Sequence, residues 1–164
     1  MNWQGKAGFS LLELAVVLAI LSVVAALAVP AFQNLLRESR LNTLANDLRV
    51  HAQAIDTHVA ESGEYPNSHY KVGEAIPGLE GSLSSKWLET TPAGGGYTWI
   101  YTQQGDPDRR NGFIQIVERP GKPLTITLED VRKFDKRIDD GNLAEGRLQL
   151  AGTRIRYYVR RGAD

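Results

Sequence analysis

The first third of the chain is uniformly apolar at its start and amphipathic further on. Residues 14–29 are apolar at every position except Ser22, and the run covers about 24 residues when counted from Phe9 to Phe32. About 20 helical residues cross the hydrocarbon core of a bilayer, so this segment is long enough to span one. The pattern predicts one nearly continuous helix over residues 9–62, whose first half is apolar around its whole circumference as lipid requires.

The second half of this predicted helix carries an apolar stripe with polar residues beside it. The stripe repeats at the helical period and consists of Leu41, Leu44, Ala45, Leu48, Ala52, Ile55 and Val59. The positions largely off the stripe are Arg37, Arg40, Asp47, Arg49 and Gln53. Such a stripe is typical of a helix packed on a sheet, so we predict that it forms core and needs no cofactor.

Two residues predict special features of the helix. Pro30 lacks a backbone N–H and clashes with the preceding turn, so we expect a kink or local melting there. Gly63 is followed by Tyr65 and Pro66, which predicts that the helix ends with Gly63 as its C-terminal cap.

The rest of the chain alternates strand-like segments with turns. Residues 64–84 predict a connecting loop, and residues 105–108 predict a turn. Strand-like segments lie at residues 97–101, 112–117, 125–128, 147–150 and 153–159, the last two forming a predicted hairpin. Residues 129–138 predict a short helix with Val131, Phe134 and Ile138 on one face. Strands gathered after a long helix predict an α+β fold class, with a small antiparallel sheet packed on that helix.

Composition narrows the classes of function. The 19 basic and 19 acidic side chains balance, so no broad nucleic-acid footprint is expected. The absence of cysteine excludes disulfides and thiolate metal sites. A length of 164 residues suits one modest domain with an anchor.

Glu13 is the most informative residue, because it places a carboxylate at the head of the apolar run. An acidic side chain near a bilayer centre costs about 2.5 to 3.5 kcal/mol on insertion scales, so it predicts a function that involves a partner. Cleavage between Gly8 and Phe9 would free an α-amine a few residues away. Glu13 of a neighbouring copy is then a natural partner for that amine.

These residues resemble the N-terminal segment of type IV pilins and type II secretion pseudopilins. The family pattern is a short polar leader that ends in glycine, then phenylalanine, and then glutamate at the fifth position of the processed chain. Here the leader is residues 1–8, ending in Gly8, Phe9 follows it, and Glu13 is fifth when Phe9 is counted first. Pro30 falls where many members carry a helix-kinking proline. The joint match is far more specific than any one of these residues.

The resemblance implies a processing route, a location and a set of partners. A prepilin peptidase would cut after Gly8 and methylate the Phe9 amine on the cytoplasmic side of the inner membrane. The single-pass subunit would keep its C-terminal domain in the periplasm. Its partners would be other pilin-like subunits, the peptidase, the membrane and an inner-membrane assembly platform. Glu13 would set the register of assembly.

The same resemblance implies four segments and a structural role. Residues 1–8 form the leader, 9–32 the transmembrane or filament-core half of the helix, 33–63 its amphipathic half and 64–164 a soluble β-rich domain. The chain would be a non-enzymatic subunit of a type IV pilus-like filament, or of a type II secretion pseudopilus that serves protein transport.

Two alternative hypotheses remain open at the level of sequence. Ala26, Leu27 and Ala28 also fit a conventional signal-peptide cleavage site. The first alternative is therefore a membrane-anchored or secreted periplasmic binding domain that uses its N-terminus only for anchoring or export. The second alternative, a DNA-binding minor pilin, requires a basic patch. The only basic cluster is Arg154, Arg156, Arg160 and Arg161, with Tyr157 and Tyr158 beside it. A charged edge strand is the favoured interpretation of that segment, so nucleic acid is not the expected partner.

Metal and histidine sites receive weaker support. Asp139, Asp140 and Asn142 offer oxygen ligands for calcium, which major pseudopilins bind in C-terminal loops, although any exposed turn has this composition. His51 and His58 are seven residues apart, too far to share a metal easily. We interpret both histidines as polar residues on the flank of the helix.

Overall fold

The computed structural model describes residues 10–102 and 111–160. The leader with Gly8, the cleavage residue Phe9 and the turn predicted at residues 105–108 lie outside that part of the chain. The helices are α1 (Leu11–Ser62) and α2 (Leu128–Ile138), with a short 3-10 helix at Ser85–Leu88. The strands are β1 (Gly96–Thr102), β2 (Asn111–Val117), β3 (Leu148–Ala151) and β4 (Arg154–Arg160).

Helix α1 runs through two compact units of the chain, one ending at Ser39 and the other beginning at Arg40. The helix continues through Pro30, so the local melting expected there is wrong, and the kink stays a prediction. Gly63 follows the helix with φ +78° and donates its N–H to the Val59 carbonyl at 2.8 Å. The predicted helix and its glycine cap are therefore confirmed over the described residues.

The four strands form one antiparallel sheet in the order β1-β2-β4-β3. Because β4 lies between β2 and β3, the interpretation of its arginine-rich sequence as an edge strand is wrong. A two-residue turn joins β3 to β4, with Ala151 paired to Arg154 and Gly152 at φ +62°. The predicted hairpin is confirmed, and its turn needs the left-handed backbone that glycine adopts without strain.

The core of the second unit lies between one face of the sheet and the apolar stripe of α1. Strand pairing aligns two apolar rows on that face: Trp99, Ile114, Tyr157 and Leu148, and then Tyr97, Ile116, Ile155 and Leu150. Against them pack the stripe residues Leu41, Leu44, Leu48, Ala52 and Ile55, all buried. The prediction that this stripe forms core against a sheet is confirmed. Apolar side chains at every second residue of the strands pack with apolar side chains at the helical repeat of α1.

Helix α2 closes one end of this core. A capping box starts it, in which Thr127 and Asp130 satisfy each other's backbone N–H groups, and Val131 and Phe134 are buried. The predicted helix is thus confirmed. The extended segment predicted at residues 125–128 is wrong, because Leu128 already belongs to the helix and residues 125–127 lie in no strand.

Candidate functional site

The exposed first half of α1 is the most unusual surface of the described chain. Residues 10–37 are all exposed, and an 18-residue window in this helix has a mean hydropathy of 2.7 with none of it buried. Leu11 and Leu27 are 88% and 74% exposed. Burying one such side chain is worth about 1.5 to 3 kcal/mol, so a run of them in water would cost more than the usual 5 to 15 kcal/mol of domain stability. This surface requires lipid or protein around it.

Glu13 is held by a local hydrogen-bond exchange at the start of the helix. The Ser10 N–H donates to Glu13 Oε2 at 2.9 Å, and the Glu13 N–H donates to Ser10 Oγ at 3.2 Å. This is a capping box, which satisfies two N–H groups that a helix start leaves without partners. The spacing Ser10-x-x-Glu13 encodes this capping box in the sequence, so Glu13 has a role within its own helix besides the predicted pairing with a neighbouring copy.

Residues 14–36 carry no second charge. The next charged residue after Glu13 is Arg37, and the hydroxyl of Ser22 donates to the Leu18 carbonyl at 2.7 Å within the helix. Glu13 is therefore the only ionisable group that this segment offers to a neighbour. Gly8 and Phe9 lie outside the described residues, so leader cleavage and methylation stay predictions.

His51 is buried in the core, so its interpretation as a flank residue is wrong. Its ring makes edge contacts with Trp87 and Tyr97, with centroids 5.1 and 5.0 Å away, and neither ring nitrogen has a hydrogen-bond partner. Burial lowers the pKa of His51 to about 4, which keeps the imidazole neutral at pH 7. An imidazole enclosed by rings and without a second ligand is built for packing, not for metal binding.

Asp47 is also buried, although the sequence placed it off the apolar stripe. Its Oδ2 accepts a hydrogen bond from the Tyr97 hydroxyl at 3.5 Å, and the residue is 8% exposed. Burial raises the pKa of Asp47, while the nearby Lys86 ammonium opposes that rise. Asp47 and His51 thus place two polar side chains beside Tyr97 inside the core.

The predicted calcium ligands are partly brought together. Asp139 and Asp140 lie beside Asp135, a residue that sequence inspection missed because it sits inside α2. Asn142 follows in the same turn, and its side-chain oxygen accepts the Ala144 N–H at 3.2 Å. Burial, with Asp139 and Asp140 adding to it, raises the pKa of Asp135 to about 6.

Two arginines of β4 lie in different surroundings: Arg154 is exposed, whereas Arg156 packs on the sheet. Arg156 lies over the Phe113 ring, 5.1 Å from its centroid, and its Nε is buried. Tyr157 points to the opposite face of the sheet, into the core, whereas Tyr158 packs on Phe113 with centroids 5.1 Å apart. Arg156 and Tyr158 therefore pack on the sheet and do not present a stacking platform for nucleic acid.

Comparison with known proteins points to one class. Residues 3–29 match the family described as the prokaryotic N-terminal methylation motif. Fimbrial protein EcpC of Eikenella corrodens is 26% identical over 87 residues, covering 53% of this chain and 54% of that protein. Fimbrial protein Q of Moraxella bovis is 31% identical over 102 residues, covering 57% of this chain and 62% of that protein. The matches thus span little more than half the length of these curated relatives.

A solved structure shares the fold. The major type IV pilin PilA1 from Clostridium difficile superposes with a TM-score of 0.52, over 77% of this chain and 97% of that chain, at 12% identity. The long N-terminal helix and the small antiparallel four-stranded sheet match the type IV pilin fold. At this identity the likeness establishes the fold alone.

Together, the methylation motif over residues 3–29, the fimbrial relatives and the fold make this chain similar to type IV pilins.

His51 predicts a pH dependence of folding. Between about pH 6.5 and about 4, His51 is protonated in the unfolded chain but neutral in the folded one, so the unfolded state binds more protons. Stability contributed by the neutral imidazole should therefore be complete above pH 6.5 and fall by about 3 kcal/mol as pH drops through this window. The raised pKa values of Asp47 and Asp135 act in the opposite direction.

Comparing the pH dependence of the wild type with that of His51→Leu isolates the contribution of the histidine, because Asp47 and Asp135 are present in both chains. Urea unfolding of the full chain in a non-ionic detergent at pH 7 and pH 4 should show a smaller loss of unfolding free energy for His51→Leu than for the wild type. His58→Leu, at a half-buried position on the same helix, controls for the loss of a histidine. Identical pH dependence of wild type and His51→Leu would contradict the assignment.

Proposed function

We propose that this chain is a prepilin, cut after Gly8 by a prepilin peptidase, methylated on the Phe9 amine and assembled into a filament through the first half of α1. The observation that carries the proposal is the exposed apolar surface of residues 10–37 with Glu13 as the only charge before Arg37. The match of residues 3–29 to the methylation motif supports the processing step.

Before assembly, the same surface suits the inner membrane. The apolar half of α1 crosses the bilayer once, and the second compact unit stands on the periplasmic side. An inner-membrane assembly platform then extracts the subunit, and the apolar half exchanges lipid for the helices of neighbouring subunits. Both environments cover the apolar side chains, so the transfer needs no refolding of the helix.

In a filament core, Glu13 becomes the register device. An unpaired carboxylate buried there is costly, and a neighbour's Phe9 ammonium relieves that cost. Docking at a wrong axial offset leaves both charges without partners, so only one offset is stable. The capping box gives Glu13 a second role, since it holds the carboxylate at the helix start before a neighbour arrives.

A fimbrial filament is the favoured system. The two curated relatives are named as fimbrial proteins, and the fold neighbour is a major pilin. A type II secretion pseudopilus, which would give the chain a role in protein transport, is the alternative. The two are separated by whether deletion of the gene removes surface fimbriae or blocks protein secretion.

Processing predicts a defined product. Removing residues 1–8 from the 164-residue chain leaves 156 residues starting at Phe9, with one additional methyl group on the amine. Intact mass and N-terminal sequencing of the protein from native membranes measure this. A 136-residue product starting at Val29 would instead show conventional signal-peptide cleavage after Ala28 and would contradict the proposal.

Substitutions at Glu13 separate its charge from its capping role. Glutamine keeps the capping box but cannot pair with an ammonium, whereas alanine loses both. Removing one partner of a buried ion pair costs about 3 to 5 kcal/mol, so each docking step should weaken by roughly a hundredfold or more in both variants. Filament yield in sheared fractions, with processing followed by mass, is the measurement.

The comparison has a matched control and two clear outcomes. Glu61→Gln removes a charge from the exposed far end of the same helix and should leave filament yield unchanged. If Glu13→Gln assembles like the wild type while Glu13→Ala does not, capping is the essential role and the ion-pair mechanism is wrong. Normal processing of both variants excludes a defect before assembly.

A further inference from the structure

The face of the sheet turned away from α1, which we call the outer face, carries an open groove. The groove has a volume of about 420 Å³, and its lining includes Tyr70, Thr98, Gln115, Glu118, Thr153 and Arg154. These polar residues contrast with the apolar rows on the other face of the sheet. Ligand sites commonly have volumes of about 300 to 1,000 Å³ with a few well-placed polar groups, so the groove is large enough for a small ligand.

Tyr70 forms a wall of the groove at the edge of the sheet. His69 makes an isolated antiparallel bridge with Trp99, which sets Tyr70 opposite Thr98 on the outer face. Tyr70 is 70% exposed, although covering an aromatic ring of this size is favourable. A ligand in the groove can therefore lie against the face of this ring.

Gln115 lies on β2 at the base of the groove and is a buried polar residue. It is only 5% exposed. Its backbone carbonyl accepts a hydrogen bond from the Thr98 hydroxyl at 3.2 Å, but within the described residues its side-chain amide has no hydrogen-bond partner. Buried polar groups nearly always have such a partner. The amide therefore offers both donors and an acceptor to a ligand in the groove.

Arg156 lies beside Gln115, because strand pairing places these two residues opposite each other on β4 and β2. Its guanidinium lies over the Phe113 ring, 5.1 Å from the centroid, and its buried Nε has no hydrogen-bond partner. No carboxylate of the described residues is paired with Arg156. Arg154, two residues earlier on the same face of β4, adds a second and exposed guanidinium. Two cations beside an unpartnered amide favour an anion, and a guanidinium binds a carboxylate through two parallel hydrogen bonds.

The end of the groove beyond Arg154 carries oxygen acceptors. Glu118 is exposed and directly follows β2, and Thr153 adds a hydroxyl from the turn between β3 and β4. The Glu118 carboxylate repels a second carboxylate but accepts hydrogen bonds from neutral hydroxyl groups. A ligand with a carboxylate on one side and hydroxyls on the other matches both parts of the groove.

We propose that this groove binds an acidic saccharide, a sugar ring that carries a carboxylate, as a uronic acid does. The carboxylate accepts hydrogen bonds from the Gln115 amide and the two arginines, and the apolar C–H face of the ring lies on Tyr70. The hydroxyls of the sugar donate to Glu118. A single-stranded nucleic acid needs several rings for stacking, and the described lining offers one, beside a carboxylate. All of these residues belong to the second compact unit, so the site does not depend on the proposed processing and assembly.

Titration of the full chain with simple acids and sugars tests this site. The protein is kept in a non-ionic detergent without a sugar headgroup. Binding of glucuronate, an oligogalacturonate, glucose and acetate is measured by calorimetry and by the chemical shifts of glutamine and arginine side-chain N–H groups. We expect glucuronate to shift the Gln115 amide and to bind about tenfold more tightly than glucose or acetate, because each of these lacks the carboxylate or the ring. A glutamate peptide or a thymidine oligonucleotide that binds as tightly as the oligogalacturonate would overturn the proposal.

Three substitutions locate the ligand. Arg154→Gln should weaken glucuronate binding about tenfold, and Tyr70→Ala should weaken it several-fold, both without a change in Tm because these side chains are exposed. Gln115→Glu supplies a carboxylate beside Arg156, so it should abolish glucuronate binding without lowering Tm. Arg49→Gln removes an exposed arginine from α1 and should bind like the wild type. The proposal is wrong if the wild type binds neither glucuronate nor oligogalacturonate at millimolar concentration, or if Arg154→Gln and Tyr70→Ala bind glucuronate as the wild type does.

Discussion

The apolar circumference of the first half of α1 is the constraint on which the rest of this molecule depends. An ordinary amphipathic helix hides one stripe and exposes the other face, but residues 14–32 have no polar face to expose, because Ser22 is their only polar side chain. The segment is therefore stable only where lipid or similar helices surround it. In both environments a buried charge must be paired. The carboxylate of Glu13, at the start of the segment, therefore needs a partner of opposite charge.

After Arg40 the surroundings of the same helix change. There it meets a sheet on one side only, and the pattern changes from uniformly apolar to a stripe of Leu44, Leu48 and Ile55 against Tyr97 and Trp99. The large rings keep their polar atoms satisfied: the indole N–H of Trp99 donates to the Pro66 carbonyl at 2.9 Å, and that of Trp87 donates to the Glu74 carbonyl at 2.9 Å. The second unit thus has its own core, independent of what covers the first.

Periodicity revealed most of this fold. The long helix, the strands around Tyr97 and Ile114 and the hairpin at Gly152 all follow from local patterns of residue type. The position of β4 inside the sheet did not, because strand order depends on long-range pairing that composition does not encode. Its arginines looked like edge residues, whereas Arg156 covers Phe113 on an internal strand.

Buried polar residues were the main source of error, for a physical reason. His51 follows Leu44 and Leu48 at heptad spacing, so the apolar stripe predicts that position 51 is buried. A histidine is usually polar surface, and this expectation from residue type led to the wrong prediction. Asp47 and Asp135 sit on helices beside core residues, and only tertiary contacts reveal that water is excluded from them. Asp139 and Asp140 were recognisable from the sequence as part of a turn. Asp135 was not recognised as their neighbour, because it lies inside α2.

A density map of the purified filament, at a resolution that shows side chains, would test the central claim most directly. We expect residues 14–32 of each copy to be enclosed by helices of other copies, and a Glu13 oxygen to lie within about 4 Å of a neighbour's Phe9 nitrogen. A filament in which this segment faces solvent, or in which Glu13 bonds only to Ser10 of its own chain, would contradict it.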